Sequence, residues 1–369
     1  MNILIDVAHP AHVHMFRCFA HDMIKKGNNV LFTTRDKEFE IKLLEAEGLP
    51  YVNLGRKRSG KLTRLAFNLY CIFCLFRIAR RFQTDIFVSH GSVVAAYVAR
   101  ILCKPAIAFE DTFNMEQVKL YLPFTSVVLT SDYDHPLQLD KVIKYKGYHE
   151  LLYMHPNRFQ PIDRKNVCEM LGINVEDRYV LLRFVSWYAT HDIGHDGMSM
   201  ENKIAAVQQI NQYAKVFISS EGQLPKELQS YRLPTKPEHI GHVMAHATLI
   251  FGESATMVSE AAMLGVPGIY MDNTGRYYTR DIQEKYGLCF CYTESEDDQK
   301  AAIAKAVELL SQDSQRLADE MSACSKRLLG DKIDCTAFLI WFIENYPASA
   351  EQTKIANATS DTTFWQQFK

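Results

Sequence analysis

The stretch His239 to Arg276, HIGHVMAHATLIFGESATMVSEAAMLGVPGIYMDNTGR, decides how the rest of the chain is read. Its apolar pattern predicts a short helix, a buried strand at 248–251, a tight turn at 252–255, a helix over about 257–264 and a second buried strand at 268–271. Gly265 and Pro267 end that helix, since glycine accepts the left-handed cap and proline cannot continue the turn. The unit is strand, turn, helix, strand, as in a parallel sheet. Such a turn offers the backbone N–H groups of Ser254, Ala255 and Thr256 at the positive end of the helix dipole, a seat for phosphate or pyrophosphate. Gly252 and Glu253 lead into it and are expected to bind substrate with it. Glu260 lies one turn further on, where a carboxylate leaning toward the N-terminus can meet the vicinal hydroxyls of a ribose. The competing reading makes Glu260 an ordinary residue near a helix start.

Outward from this stretch, strand–helix alternation recurs. In the N-terminal half, apolar runs at 3–7, 30–33, 86–89, 106–109 and 127–129 are separated by helical patterns at 13–26, 37–47 and 93–102. A second series runs through 180–185, a helix at 201–213, and 216–219 before reaching the stretch quoted above. The chain is expected to be α/β, with two Rossmann-like domains of parallel sheet facing across a cleft, at 1–155 and 162–345. The Tyr-, His- and Pro-rich run at 144–161 reads as the crossing between them. Helices are expected at 299–311, 315–329 and 334–344, and residues 346–369 as a polar tail, loose apart from Phe364 and Trp365.

In such sheets ligands bind beyond the carboxyl ends of the strands. Three N-terminal segments fall there. Asp6-Val-Ala-His-Pro-Ala-His-Val-His14 crowds three histidines into one turn, and histidine is suited to taking a proton near neutral pH. His12 is the first candidate base and His14 the second; helix capping accounts for one histidine more easily than for three. Ser89-His-Gly-Ser92 follows the next buried run. Phe109-Glu-Asp-Thr112 offers Glu110 as an acid–base group, with helix capping as the rival role. In the second half, Arg183 can hold phosphate, Ser186 can do so with the N–H groups that follow, and Trp187 can line a base or sugar pocket. Ser220 and Glu221 end the next strand at the same level.

Composition bounds the function classes. The 369 residues are 47% hydrophobic and 23% charged with net charge −2, so no global basic field points to nucleic acid. Nine scattered cysteines and an N-terminus that enters a strand at once fit a reducing cytoplasm. Cys71 and Cys74 lie in an apolar helix without a second pair at zinc spacing, and read as core. His191 and His195 flank Gly194 in what reads as a mobile loop, so no metal site is expected. Residues 56–81 carry basic clusters around an aromatic run too short for a membrane span; a core helix with a solvated end is the first expectation and peripheral contact with anionic lipid the second.

The layout resembles the GT-B fold of nucleotide-sugar glycosyltransferases and of the non-hydrolysing UDP-N-acetylglucosamine 2-epimerases. The segments IDVAHPAHVHMF, SHGSVVAAYVA, FEDT, LLRFVSWYATHDIG, VFISSE and GESATMVSEAAMLGVPGIY resemble the family known as domain of unknown function 354, over most of residues 1–345. SATMVSE is similar to the donor-holding segment of the murein-pathway N-acetylglucosaminyltransferase, which implies ribose at Glu260 and diphosphate at 254–256. PAHVH is similar to that enzyme's GGHV loop, which implies an acceptor near His12. Against the epimerases, their HGDT aspartate falls at Ser92 and their HVEAG glutamate at Glu110. The resemblance therefore implies a metal-independent transferase without cofactor, moving sugar from a nucleoside-diphosphate donor such as a UDP-sugar to a glycan or lipid-linked acceptor in surface polysaccharide synthesis. An epimerase and a non-catalytic nucleotide-sugar-binding protein are the alternatives.

Overall fold

In the computed structural model, residues 1–36, 39–56, 61–184, 197–220 and 223–369 are described. The chain divides into two compact units, Met1–Arg158 with Lys332–Lys369 and Phe159–Asp331. Unit 1 carries β1 (Asn2–Asp6), β2 (Asn29–Thr34), β3 (Tyr51–Asn53), β4 (Ile86–His90), β5 (Ala106–Phe109), β6 (Val127–Ser131) and β7 (Val142–Tyr145). They form one sheet in the order β3-β2-β1-β4-β5-β6-β7, with every neighbouring pair parallel. Unit 2 carries β8 (Tyr179–Phe184), β9 (Lys215–Ser220), β10 (Leu249–Gly252), β11 (Gly268–Met271) and β12 (Cys289–Tyr292) in the parallel order β12-β11-β10-β8-β9.

The central strands are apolar on both faces, as helices covering both sides demand. Ile3, Leu4 and Ile5 of β1 and Val180, Leu181 and Leu182 of β8 are fully buried. In each sheet the first strand lies inside, and the chain winds off to one side and then to the other. The order reverses between β1 and β4 in unit 1 and between β8 and β10 in unit 2. Those two points are where the loops at the carboxyl ends part and leave a crevice.

The C-terminal residues differ from expectation. Residues 332–345, expected in the C-terminal domain, and 346–369, expected as a loose tail, both pack on unit 1. The helix Cys335–Glu344 is apolar around its circumference, burying Phe338, Leu339, Phe342 and Ile343. Further helices follow at Ala348–Ala358 and Thr362–Gln366. Trp365 is 2% exposed, and Phe338 meets both Trp365 and Phe368 with ring centroids 5.6 and 5.4 Å apart. Burying such aromatic side chains is worth roughly 1.5–3 kcal/mol each, enough to hold a short polar segment down. Arg158 fastens the join, its Nε 2.8 Å from Asp334.

The basic, aromatic segment forms the helix Lys61–Phe82. One side packs Cys71, Leu75 and Ala79 into a core with Val94, Val98 and Ala99. Cys71 and Cys74 are free thiols, and Cys71 is buried. The opposite side leaves Leu69, Tyr70 and Phe73 exposed, with Arg77 over the Phe73 ring. Among the described residues no helix is long and apolar enough to cross a membrane.

Candidate functional site

The crevice of unit 1 is built from the turns after β1, β4 and β5. After β1 the backbone stays extended through His9, which caps the helix Pro10–Lys25 by accepting the Ala11 N–H at 3.2 Å. Pro10 at the first helical position needs no N–H partner there. His12 therefore sits in the first turn, half-buried, with its ring stacked on His90 at 4.7 Å. The Ala8 N–H approaches His12 Nδ1 at 3.4 Å, which assigns the proton to Nε2, though so long a contact holds that tautomer weakly.

His90 ends β4, and Gly91 turns the chain at φ +55°. Ser92 then caps the helix Val93–Ile101 through the Ala95 N–H at 3.1 Å and donates its hydroxyl to Asp6. Asp6 is buried at the end of β1 but well supplied, since Thr33 donates at 2.7 Å and Arg35 at 2.8 Å. A carboxylate so paired holds strand ends together, because burying its charge alone would cost several kcal/mol.

The two acids after β5 part company. Glu110 is 3% exposed, and its Oε1 accepts from the Thr112 N–H, the Thr112 hydroxyl and the Phe113 N–H at 2.8–2.9 Å. Its other oxygen accepts from Tyr121 Oη. With four donors upon it, Glu110 fixes the turn and has little capacity left to take a proton from a ligand, contrary to the acid–base role expected for it. Asp111, the next residue, turns the other way and meets His90 Nε2 at 3.0 Å.

His149 completes the cluster from the 3₁₀ turn His149–Leu152 after β7. Its ring stands edge-on to His90 at 5.6 Å and its Nδ1 lies 2.6 Å from Tyr145 Oη. Among the described residues its Nε2 is buried without a hydrogen-bond partner, a deficit that costs about 1–3 kcal/mol unless something fills it. Burial alone would lower the His90 imidazolium, but the charge and hydrogen bond of Asp111 outweigh it and push His90 up to about 9. Burial works in the opposite sense on Asp111, and the His90 charge holds that carboxyl well below its usual range. His149 is pushed down to about 4 by burial. Burial, then the charges of His90 and His9, push His12 well below the usual imidazole range. One ion pair thus lies between two neutral imidazoles.

His14 is not brought into this cluster. Two residues along a helix is a rotation of about 200°, and the His14 ring lies 5.9 Å from Tyr153. Burial and then Arg17 push it down to about 4. His90, Asp111 and His149 were not singled out from sequence. The first two stood in strand-end segments whose signal was available; His149 stood in a run read as the domain crossing.

Unit 2 builds its crevice from backbone. Gly252 pairs with Arg183 across β10 and β8, and a Cβ at Gly252 would stand 2.0 Å from the Arg183 carbonyl oxygen. Its φ of +150° also suits glycine. Ser254 caps the helix Ala255–Met263, its Oγ accepting from the Met257 N–H at 3.4 Å. That geometry leaves the N–H groups of Ala255 and Thr256 without partners inside the helix, at its positive end. Arg183 at the end of β8 donates to Ser219 Oγ at 3.2 Å, and Ser220 ends β9 half-buried.

Two residues of the expected donor site face inward. Glu253 accepts the Met198 N–H at 2.8 Å and pairs with Lys203 at 3.4 Å, both side chains being nearly buried. These contacts tie down the returning chain, whereas a substrate-binding role was expected for it. Glu260 is 7% exposed on the packed face of its helix. Beyond β11, Asp272 accepts the Thr274 and Gly275 N–H groups at 2.8 Å, forming a turn beside Arg276 that sequence reading passed over. Ser186, Trp187, His191, His195 and Glu221 lie outside the described residues.

Two parallel doubly wound units in one chain define the GT-B class of fold, and solved structures agree. A protein of Listeria monocytogenes assigned as a UDP-N-acetylglucosamine 2-epimerase matches with TM-score 0.67 at 13% identity, over 89% of this chain and 94% of that one. The UDP co-structure of MnaA from S. aureus matches at 0.66 and 13%, over 94% and 96%. The spinosyn forosaminyltransferase SpnP matches at 0.62 and 12%, over 94% and 100%. Residues 1–312 match the family described as protein of unknown function (DUF354), and the chain belongs to that family. Among curated proteins none matches the sequence.

Proposed function

We propose that this chain is a glycosyltransferase that takes sugar from a nucleoside-diphosphate donor held by unit 2 and passes it to an acceptor hydroxyl held by unit 1. The observation that carries the donor half is the capped turn at 252–256. It stands at the point where the sheet order reverses, with Arg183 on the adjoining strand. Helix N–H groups and a guanidinium offset the charge of a departing diphosphate without a divalent ion. UDP is the first nucleotide to try, since UDP and UDP-sugars occupy several proteins of this fold. On the acceptor side, His12 is a neutral, half-buried imidazole at the matching point of unit 1, suited to receive the acceptor's proton. A glycan or lipid-linked precursor of a surface polysaccharide is the acceptor class to screen.

The experiment is a paired one. UDP at about a hundred times its dissociation constant should stabilise the chain by about 2.7 kcal/mol, read as a rise in Tm. Incubating the nucleotide sugar that binds best with glycan precursors should then yield a glycosidic product. The epimerase reading is kept because Asp111 supplies a carboxylate beside His90 even though Glu110 is taken up. It predicts exchange of the sugar C2 hydrogen with solvent in the absence of acceptor, and that exchange would overturn the transferase.

A further inference from the structure

We propose that His90, Asp111 and His149 form a binding site for one divalent transition-metal ion in unit 1. The ligand atoms of the three side chains all lie within 4.8 Å of one another. They come from the end of β4, the turn after β5 and the turn after β7, so it is the sheet that gathers them. His90 Nε2 and Asp111 Oδ1, 3.0 Å apart, already stand at the separation of adjacent ligands on an ion bonded at about 2.0–2.2 Å, which on binding takes the place of the proton shared between them and releases it to solvent.

His149 is the second, independent observation. Only 5% exposed, it keeps Nε2 buried and, among the described residues, unpartnered while Nδ1 is engaged with the Tyr145 hydroxyl. In the tautomer that donates from Nδ1 to the Tyr145 oxygen the lone pair stands at Nε2, which is the arrangement metal-bound histidines adopt. The ring is wedged between Tyr145, Phe109 and His90 and cannot turn its nitrogen to solvent. Side-chain movement of about 1–2 Å would bring the three atoms to bonding distance. Two imidazoles and one carboxylate suit zinc and its neighbours; calcium and magnesium want more oxygens. Three protein ligands leave a coordination position for an oxygen. His12, stacked on His90, would lie beside it. That this oxygen is an acceptor hydroxyl rests on the transferase reading; the ion site itself does not.

The test uses the full chain, stripped with chelator, dialysed and titrated with Co2+ as a spectroscopic probe, then with Zn2+ as competitor. One Co2+ per chain should bind with the visible absorption of a nitrogen–oxygen site, and Zn2+ should displace it. Asp111→Asn and His149→Ala should each weaken binding at least tenfold. Tyr145→Phe keeps all three ligands and should weaken it about tenfold by releasing the His149 ring. Circular dichroism melting identifies a variant that fails to fold, and Asp111→Asn and Tyr145→Phe then decide. Absence of Co2+ binding by the parent chain, or binding unchanged in Asp111→Asn and Tyr145→Phe, overturns the site. Stabilisation by UDP is read separately and fails separately.

Discussion

The two crevices have the same ancestry in geometry and opposite chemistry. In unit 1 the strand ends carry side chains: His12, Asp111 and His149 gather around His90, the two histidines by ring contact and Asp111 by a 3.0 Å ion pair. In unit 2 they carry backbone: a glycine without room for a methyl group, a serine cap and the first N–H groups of a helix. A site made of titratable groups is suited to moving protons or holding an ion. One made of fixed N–H dipoles is suited to holding an anion still. The same topology therefore supports a division of labour that neither sheet reveals by itself.

The sharpest contrast is steric. Gly252→Ala should cost about 3 kcal/mol or more, because the new Cβ falls on the Arg183 carbonyl and neither strand can retreat. Gly91→Ala, at the corresponding turn of unit 1, comes closest to a Tyr121 ring carbon at 3.1 Å, with Glu110 Oε2 at 3.5 Å, and should cost about 1–2 kcal/mol. Urea unfolding of both variants measures the difference, and equal costs would remove the distinction between a backbone-built and a side-chain-built crevice. Next in size, His12→Ala should lower the transfer rate about a hundredfold while leaving donor affinity nearly unchanged. A variant that lost donor binding with unchanged turnover would reverse the roles of the units.

Acid should loosen unit 1. His14 and His135 are pushed down to about 4, in both cases mainly by burial, so both are neutral in the folded chain at pH values where an unfolded histidine, near 6.5, is charged. Their contribution is complete above about pH 6.5 and is lost as pH falls toward 4, by ~1–2 kcal/mol each after allowing for partial exposure. His14→Gln should flatten that dependence, followed by urea unfolding from pH 7 to 4. An unchanged slope would mean that His14 does not carry it. The smallest effect is at the cap of unit 2, where Ser254→Ala should lose about 1 kcal/mol of stability and weaken binding of UDP. Weakened stability with unaltered UDP affinity would separate the cap from the anion seat.

The central strands were legible in sequence because they are continuous apolar runs. β3, β7 and β12 were not, and all three are edge strands with partly exposed patterns. The omission of β7 had a consequence, since without it the segment holding His149 looks like a crossing between domains and not like a strand-end turn. Glu110 and Asp111 are neighbours of the same charge, and sequence offers no way to tell which is consumed by Tyr121 and the turn. Glu253 stands in sequence beside a phosphate seat, yet Lys203, 50 residues earlier in the chain, draws it inward. The tail looked loose by composition, whereas Trp365 and Phe368 anchor it.

The central claim, an anion seat in unit 2, is most directly tested by amide hydrogen exchange with and without UDP. The account predicts slowed exchange at 253–258, with the amides of 8–14 and 90–93 unaffected by the nucleotide alone. In Thr256→Glu, a change the helix start tolerates but which sets a carboxylate in the seat, the protection should vanish. UDP protection centred on 8–14 and 90–93, or equal protection in Thr256→Glu, would contradict it.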